Sequence, residues 1–153
     1  MRMSTKAEYA LRAVIELAAR SGRDHAVSAE VLADAQEIPL HTLMNVLLEL
    51  RRSQILVSQR GPGGGFRLAR DPRTISLADI IRAVDGPLAM VGELKPEELT
   101  YRGSALLLQD VWVAMRHSLR SILERVTLAD ISRGKLPASI RRLTLDPEDW
   151  VAR

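Results

Sequence analysis

The chain contains no cysteine. That excludes disulfides, thiolate zinc sites, a cysteine nucleophile and any cluster held by thiolates of this chain. Aromatic residues are scarce too. Tyr9, Phe66, Tyr101, Trp112 and Trp150 are all there is, too few and too scattered to form the stacking platform that binds single-stranded nucleic acid. Long apolar runs are also missing. Arg2, Lys6, Glu8, Arg12 and Glu16 interrupt the first segment, so it has no signal-peptide core, and no run nears the ~20 apolar residues of a membrane helix. A cytoplasmic protein without membrane partners is expected. Histidines are few, and His25 and His117 have no second ligand at metal-site spacing, so no metal, cofactor or catalytic centre is expected.

What is present is an ordinary globular composition: 153 residues, 46% apolar and 27% charged, enough for one domain with an appendage. The net charge of +3 is unevenly spread, because residues 1–75 hold 11 basic against 8 acidic residues while residues 76–153 hold 11 of each. Between Leu50 and Arg70 stand five arginines, Arg51, Arg52, Arg60, Arg67 and Arg70, and no acid. Such a run suits a polyanion whose phosphates release counterions on contact. A solvated surface accounts for the run equally well.

Hydrophobic periodicity predicts a first helix over residues 5–20, with Ala7, Ala10, Leu11, Val14, Ile15, Leu17 and Ala18 on one face and Thr5 with Glu8 as a capping box. Ser21, Gly22 and Asp24 break the pattern. Ser28 then reads as the N-cap of a second helix that carries Val31, Leu32 and Ala35 inward and ends near Glu37. Pro39 opens a third, with Leu43, Val46, Leu47 and Leu50 buried. Two short helices at a tight turn have the layout of a helix-turn-helix, although most adjacent helix pairs bind nothing.

Residues 55–60 and 66–70 read as strands around Gly61-Pro62-Gly63-Gly64-Gly65, which predicts a hairpin with a five-residue loop. A phosphate-cradling nucleotide loop would lead into a helix. This one leads into Phe66-Arg67-Leu68, a strand, so a wing laid against DNA is favoured, its glycines permitting close approach to phosphates. Residues 76–84 form a capped helix stopped by Gly86-Pro87, residues 88–103 a loop, and residues 104–126 a helix of about 34 Å. Along that helix Leu108, Val111, Trp112, Met115, Leu119, Ile122, Leu123 and Val126 make a stripe suited to a second copy of the chain, though it could instead cover its own domain. Residues 133–153 look like an irregular tail.

The order helix-turn-helix, Arg60-Gly-Pro-Gly-Gly-Gly-Phe66, Ser76-Leu-Ala-Asp-Ile-Ile-Arg-Ala-Val-Asp-Gly-Pro87, long helix and Thr127-Leu-Ala-Asp-Ile131 resembles the IscR, NsrR and CymR type (Rrf-type) of bacterial winged-helix transcription regulators. Met3-Ser-Thr-Lys-Ala-Glu-Tyr-Ala-Leu-Arg12 matches as well, so the likeness covers residues 1–132. It implies a mainly α fold with a small β-hairpin. The winged helix-turn-helix domain would span residues 1–87, a loop 88–103, a dimerisation region 104–132 and a tail 133–153.

The resemblance further implies a homodimer on a palindromic double-stranded operator, acting as a repressor rather than an enzyme, with the second helix of the motif in the major groove and the wing in the minor groove. Its expected contact set on this chain is Ser28, His41, Thr42, Met44, Asn45, Arg51, Arg52, Arg60, Gly61, Gly63, Gly64 and Gly65. Among these Asn45 suits bidentate pairing with adenine. Many relatives hold an iron–sulfur cluster through cysteines in the interval that is Leu88 to Gly103 here, and one branch recruits a carboxylate at the position of Glu8 and a histidine in the second helix. This chain has Glu8 but neither the cysteines nor that histidine, so no cluster is expected. Control by a partner enzyme, or by a small molecule entering beside Glu93, Tyr101 and Arg102, is the alternative within the same fold. A dimeric scaffold that binds no DNA is the blander one.

Overall fold

A computed structural model of the chain describes residues 3–20 and 24–151. Ser21 and Gly22 lie outside the described residues. Helix α1 spans Thr5–Arg20 and buries Ala7, Ala10, Ala13, Val14 and Leu17, so small residues let its neighbours pack closely. Its cap differs from the expected box. Ser4 caps the helix: its hydroxyl accepts from the Ala7 amide at 2.9 Å and its carbonyl from the Glu8 amide at 3.0 Å. A start one residue earlier puts alanine where the box needs a carboxylate, and Glu8 pairs with Arg12 at 3.4 Å instead.

Helix α2, Ala29–Gln36, is capped by Ser28, whose hydroxyl oxygen accepts from the Val31 amide. It buries Ala29, Leu32 and Ala33. Val31 and Ala35, expected inward, are exposed, because so short a helix buries one narrow stripe and Leu32 is its centre. Glu37 ends α2 in the left-handed conformation, φ 51°. Helix α3, Leu40–Arg52, follows at once and buries Leu43, Val46, Leu47 and Leu50 as the periodicity predicts. An α1 clamp fixes the turn. Arg12 donates to the Gln36 carbonyl and, at 3.3 Å, to its side-chain oxygen, while the Gln36 amide donates to Glu16 at 2.9 Å.

Strands β1, Leu56–Gln59, and β2, Gly65–Leu68, form the antiparallel hairpin, with Leu56 opposite Leu68 and Gln59 opposite Gly65. The loop is therefore residues 60–64, one position earlier than expected. Val27 adds a third strand position that the sequence does not announce. It exchanges two backbone hydrogen bonds with Phe66, at 2.9 and 2.8 Å, and so ties the wing to the residue before the cap of α2.

Helix α4, Leu77–Asp85, has the expected capping box between Ser76 and Asp79 and ends at Gly86. The segment after it is mostly irregular, with short 3-10 turns at Pro96–Glu98 and Gly103–Ala105. Helix α5 then spans Leu108–Leu123, about 24 Å instead of 34 Å. Its start is delayed by the turn at Gly103, and Leu123 is followed by the edge position of Val126. Helix α6, Leu128–Ser132, repeats the cap of α4 with Thr127 and Asp130, and the two caps lie side by side: Leu77 donates to the Val126 carbonyl and Leu128 to that of Ile75, both at 2.9 Å.

That pairing returns α6 to the first domain. Leu128 joins the core made by α1 to α4 and the hairpin. The tail, expected to be irregular, contains helix α7, Ala138–Arg142, which buries Ile140. No described helix is long and apolar enough to cross a membrane.

Candidate nucleic-acid interface

Burying Leu43, Val46, Leu47 and Leu50 turns the opposite face of α3 outward, and His41, Thr42 and Asn45 are all exposed there. Met44 is different: it is half-buried and packs against the core, so it supports the face more than it extends it. No side chain caps α3, whose N-cap is Pro39 and whose first turn holds no acid. The first-turn amides of a helix have no partner inside it, and the helix dipole adds positive potential there. This end of α3 suits an anion.

The arginine run divides into two groups. Arg70, though exposed, is engaged within the chain, pairing with Asp79 at 3.8 Å and donating to the Thr74 carbonyl at 3.4 Å. Arg51 donates to the Ser58 hydroxyl at 3.3 Å, linking the end of α3 to the first wing strand. Arg52, Arg60 and Arg67 form no ion pair among the described residues. Arg60 stands at the point where β1 becomes the loop and is exposed. Unpaired guanidiniums keep all their donors for an incoming phosphate or base edge.

The wing glycines divide as well. Gly61 and Gly63 have φ of 89° and 69° with open space around their Cα atoms. Gly64 and Gly65 have internal reasons to be glycine: a Cβ on Gly64 would meet the Gln59 carbonyl at 2.5 Å, and one on Gly65 the Val27 carbonyl at 2.2 Å. Ser28 is committed in the same way. Its hydroxyl also engages Glu30, whose carboxyl is held below its ordinary range first by its own backbone amide and then by Ser28.

The α5 stripe has two fates. Trp112 donates to the Tyr101 hydroxyl at 3.0 Å, and Met115, Leu119 and Leu123 line a cavity against residues 87–90. Val111 stands at 54% exposure, beside Leu106 and Leu107, which precede the helix and are 63% and 73% exposed. Val126, expected on the stripe's outer face, is 2% exposed inside its own chain's core, because the bridge to residues 75–77 pulls it in.

The pattern of the Rrf2 family, described as iron-dependent transcriptional regulator, matches residues 3–134. A protein of Mycobacterium tuberculosis strain H37Rv, named as an HTH-type transcriptional regulator, is 47% identical over 147 residues, covering 95% of this chain and 90% of its own. The HTH-type transcriptional regulator CymR of Bacillus subtilis is 32% identical over 132 residues, 86% of this chain and 90% of its own. The structure of CymR, described as the global cysteine regulator of B. subtilis, aligns with a TM-score of 0.74 at 29% identity over 89% of this chain and 99% of that one. IscR of T. potens aligns at 0.71 and 27% identity over 99% and 97%.

The iron of the family's description does not fit the donors of this chain. It has no thiolate, no three His, Asp or Glu side chains converge among the described residues, and Glu8 is paired with Arg12. Iron–sulfur chemistry needs soft ligands. Around residues 88–103 the structure offers Trp112 bonded to Tyr101, and Gln109 bonded to the carbonyls of Pro96 and Glu97. With its winged-helix fold, its matched length and these relatives, the chain belongs to the Rrf2 family of HTH-type transcriptional regulators.

Proposed function

We propose that this regulator works in the cytoplasm as a homodimer on a two-fold symmetric double-stranded operator and represses by occluding promoter access. Helix α3 enters the major groove, presenting His41, Thr42 and Asn45, and the 60–64 loop lies along the adjacent minor groove with Arg60 at its mouth. One observation carries the reading: Arg52, Arg60 and Arg67 are unpaired on the same recognition helix and wing that expose three base- or phosphate-seeking side chains. Asn45 suits adenine through its N6 and N7. The glycines at 61 and 63 let the loop backbone approach phosphates, with Gly64 and Gly65 shaping that loop from within. Arg51 sets the distance between helix and wing.

Dimerisation through Leu107, Val111 and the remaining outer edge of α5 would place two recognition helices about one DNA turn apart. Val126 takes no part, being buried. Mapping of chromosomal sites bound in cells, followed by footprinting on the strongest, tests the reading. Protection of a palindrome on its consecutive major and minor grooves is the expected result. Affinity for the best site no tighter than for unrelated DNA would overturn it.

A further inference from the structure

Residues Pro87 and Leu88, just past the end of α4, lie over α5 and stand between two cavities. One, of about 580 Å³, is apolar and takes its α5 side from Met115, Leu119 and Leu123. The other, of about 280 Å³, is lined beyond Pro87 and Leu88 by Arg82, Lys95, Glu97, Arg116 and Arg120. Four cations face one carboxylate, and they come from three elements: α4, the 95–98 turn and α5. Neighbouring acids engage them only in part. Arg82 and Arg120 both donate to the same oxygen of Glu124, the latter at 3.0 Å. Arg116 donates through one nitrogen to Glu97, Lys95 stands 3.7 Å from Glu98, and Arg82 lies 4.0 Å from Asp79, which is shared with Arg70. Arg116 and Arg120 thus each spend one nitrogen on a carboxylate and keep the others for an incoming carboxylate or phosphate, while Arg82 divides two nitrogens between Glu124 and the more distant Asp79.

We propose that this cavity binds a small anionic metabolite, through carboxylate or phosphate groups held by Arg82, Arg116 and Arg120 with Lys95 closing over them, and that the bound anion sets how the winged-helix core sits on α5. The residues expected to supply polar handles, Glu93 and Arg102, are exposed and do not line the cavity. The ligand's effect on DNA rests on the operator-binding reading above; its binding does not.

The test is calorimetric titration of the full chain with citrate and, separately, with inorganic phosphate, ionic strength being held constant with chloride. Saturable binding of one or both at one equivalent per chain is expected, and the stronger of the two tells carboxylate from phosphate recognition. Arg116→Gln and Lys95→Gln should each weaken it by about tenfold, the worth of one charge-assisted hydrogen bond, with Arg142→Gln on α7 unchanged. Lys95 lies on a short turn, so its variant serves even if the α5 variant fails to fold. No saturable binding, or equal loss in all three variants, would overturn the site. Saturable binding that leaves operator affinity unchanged would overturn the coupling to α5. Failure to find any operator would sink the DNA reading and leave the titrations standing.

Discussion

Gly65 and Val27 approach so closely that a Cβ on the glycine would lie 2.2 Å from the valine's carbonyl oxygen. The same contact is what lets Val27 and Phe66 pair and anchors the wing beside α2. Gly65→Ala must therefore displace backbone, in a conformation (φ 142°) that side chains rarely adopt, and is expected to cost about 3 kcal/mol. Gly63→Ala meets only the left-handed backbone in open space and should cost about 1–2 kcal/mol. Urea unfolding of both variants distinguishes them; equal losses would show that the Val27 contact is not the constraint.

Asn45 and Arg60 are expected to fail differently on DNA. Asn45→Ala should lose about 1–3 kcal/mol of discrimination at one base pair of each half-site. Arg60→Ala should weaken binding and, to the extent that it contacts phosphate, lower the slope of log affinity against log salt by about one. Competition binding on a library of single-base variants, repeated over a range of salt concentrations, reads both. Unchanged preference and unchanged slope would rule out the docking proposed for α3 and the wing.

Oligomeric state is the direct check on α5. Leu107→Asp, at the N-cap of α5, and Val111→Asp, within it, place charges on exposed apolar positions, where burial against a second copy would leave a carboxylate desolvated and unpaired. Sedimentation should show a dimer for the natural chain and a shift to monomer for each variant. Leu143→Asp, also on an exposed leucine but outside α5, should remain dimeric.

Acidification probes the link between α4 and α5. Glu124 is held below its ordinary value of 4.5, first by the hydrogen bond from Arg82 and then by that from Arg120. A depressed folded value means that this carboxylate adds stability above its unfolded value and loses it as pH falls through the lower folded one. Glu124→Gln should lower stability at neutral pH and flatten the acid limb of the melting-temperature profile below about pH 4.5. An acid limb unchanged by the substitution would show that the pair is too well solvated to matter.

Iron loading checks the donor argument. Anaerobic incubation with ferrous iron and sulfide, followed by desalting, should leave the chain without stoichiometric iron and without visible absorbance. Retention of both would mean that oxygen and nitrogen donors alone suffice, against the softness argument.

Local features were legible in the sequence because their causes are local. The caps at Ser28 and Ser76, the buried stripe of α3 and the hairpin each follow from a few neighbouring residues, and the wing motif with its spacing identified the family. Thr127 and Asp130 repeat the Ser76 and Asp79 pattern in the sequence itself, a sign that the Thr127 motif caps a helix of its own. The Thr5 box failed for want of one residue of register, since Ser4 offers an equally good hydroxyl one position earlier.

The sequence by itself determined the helix-turn-helix, the wing, the absence of thiolate chemistry and a cation run that spans the end of α3 and the hairpin. Only tertiary structure decided which cations are free. Arg70 and Arg51 are read in sequence like Arg52 and Arg60, yet the first two are held by Asp79 and Ser58, partners brought close by packing rather than by spacing. Gly65 and Val126 were decided the same way, one by the close approach of Val27 and the other by Leu77, whose amide donates to the Val126 carbonyl, each pair nearly forty residues or more apart in sequence. Periodicity states which way a side chain points from its own helix or strand; what stands there to meet it depends on how distant segments close around one core.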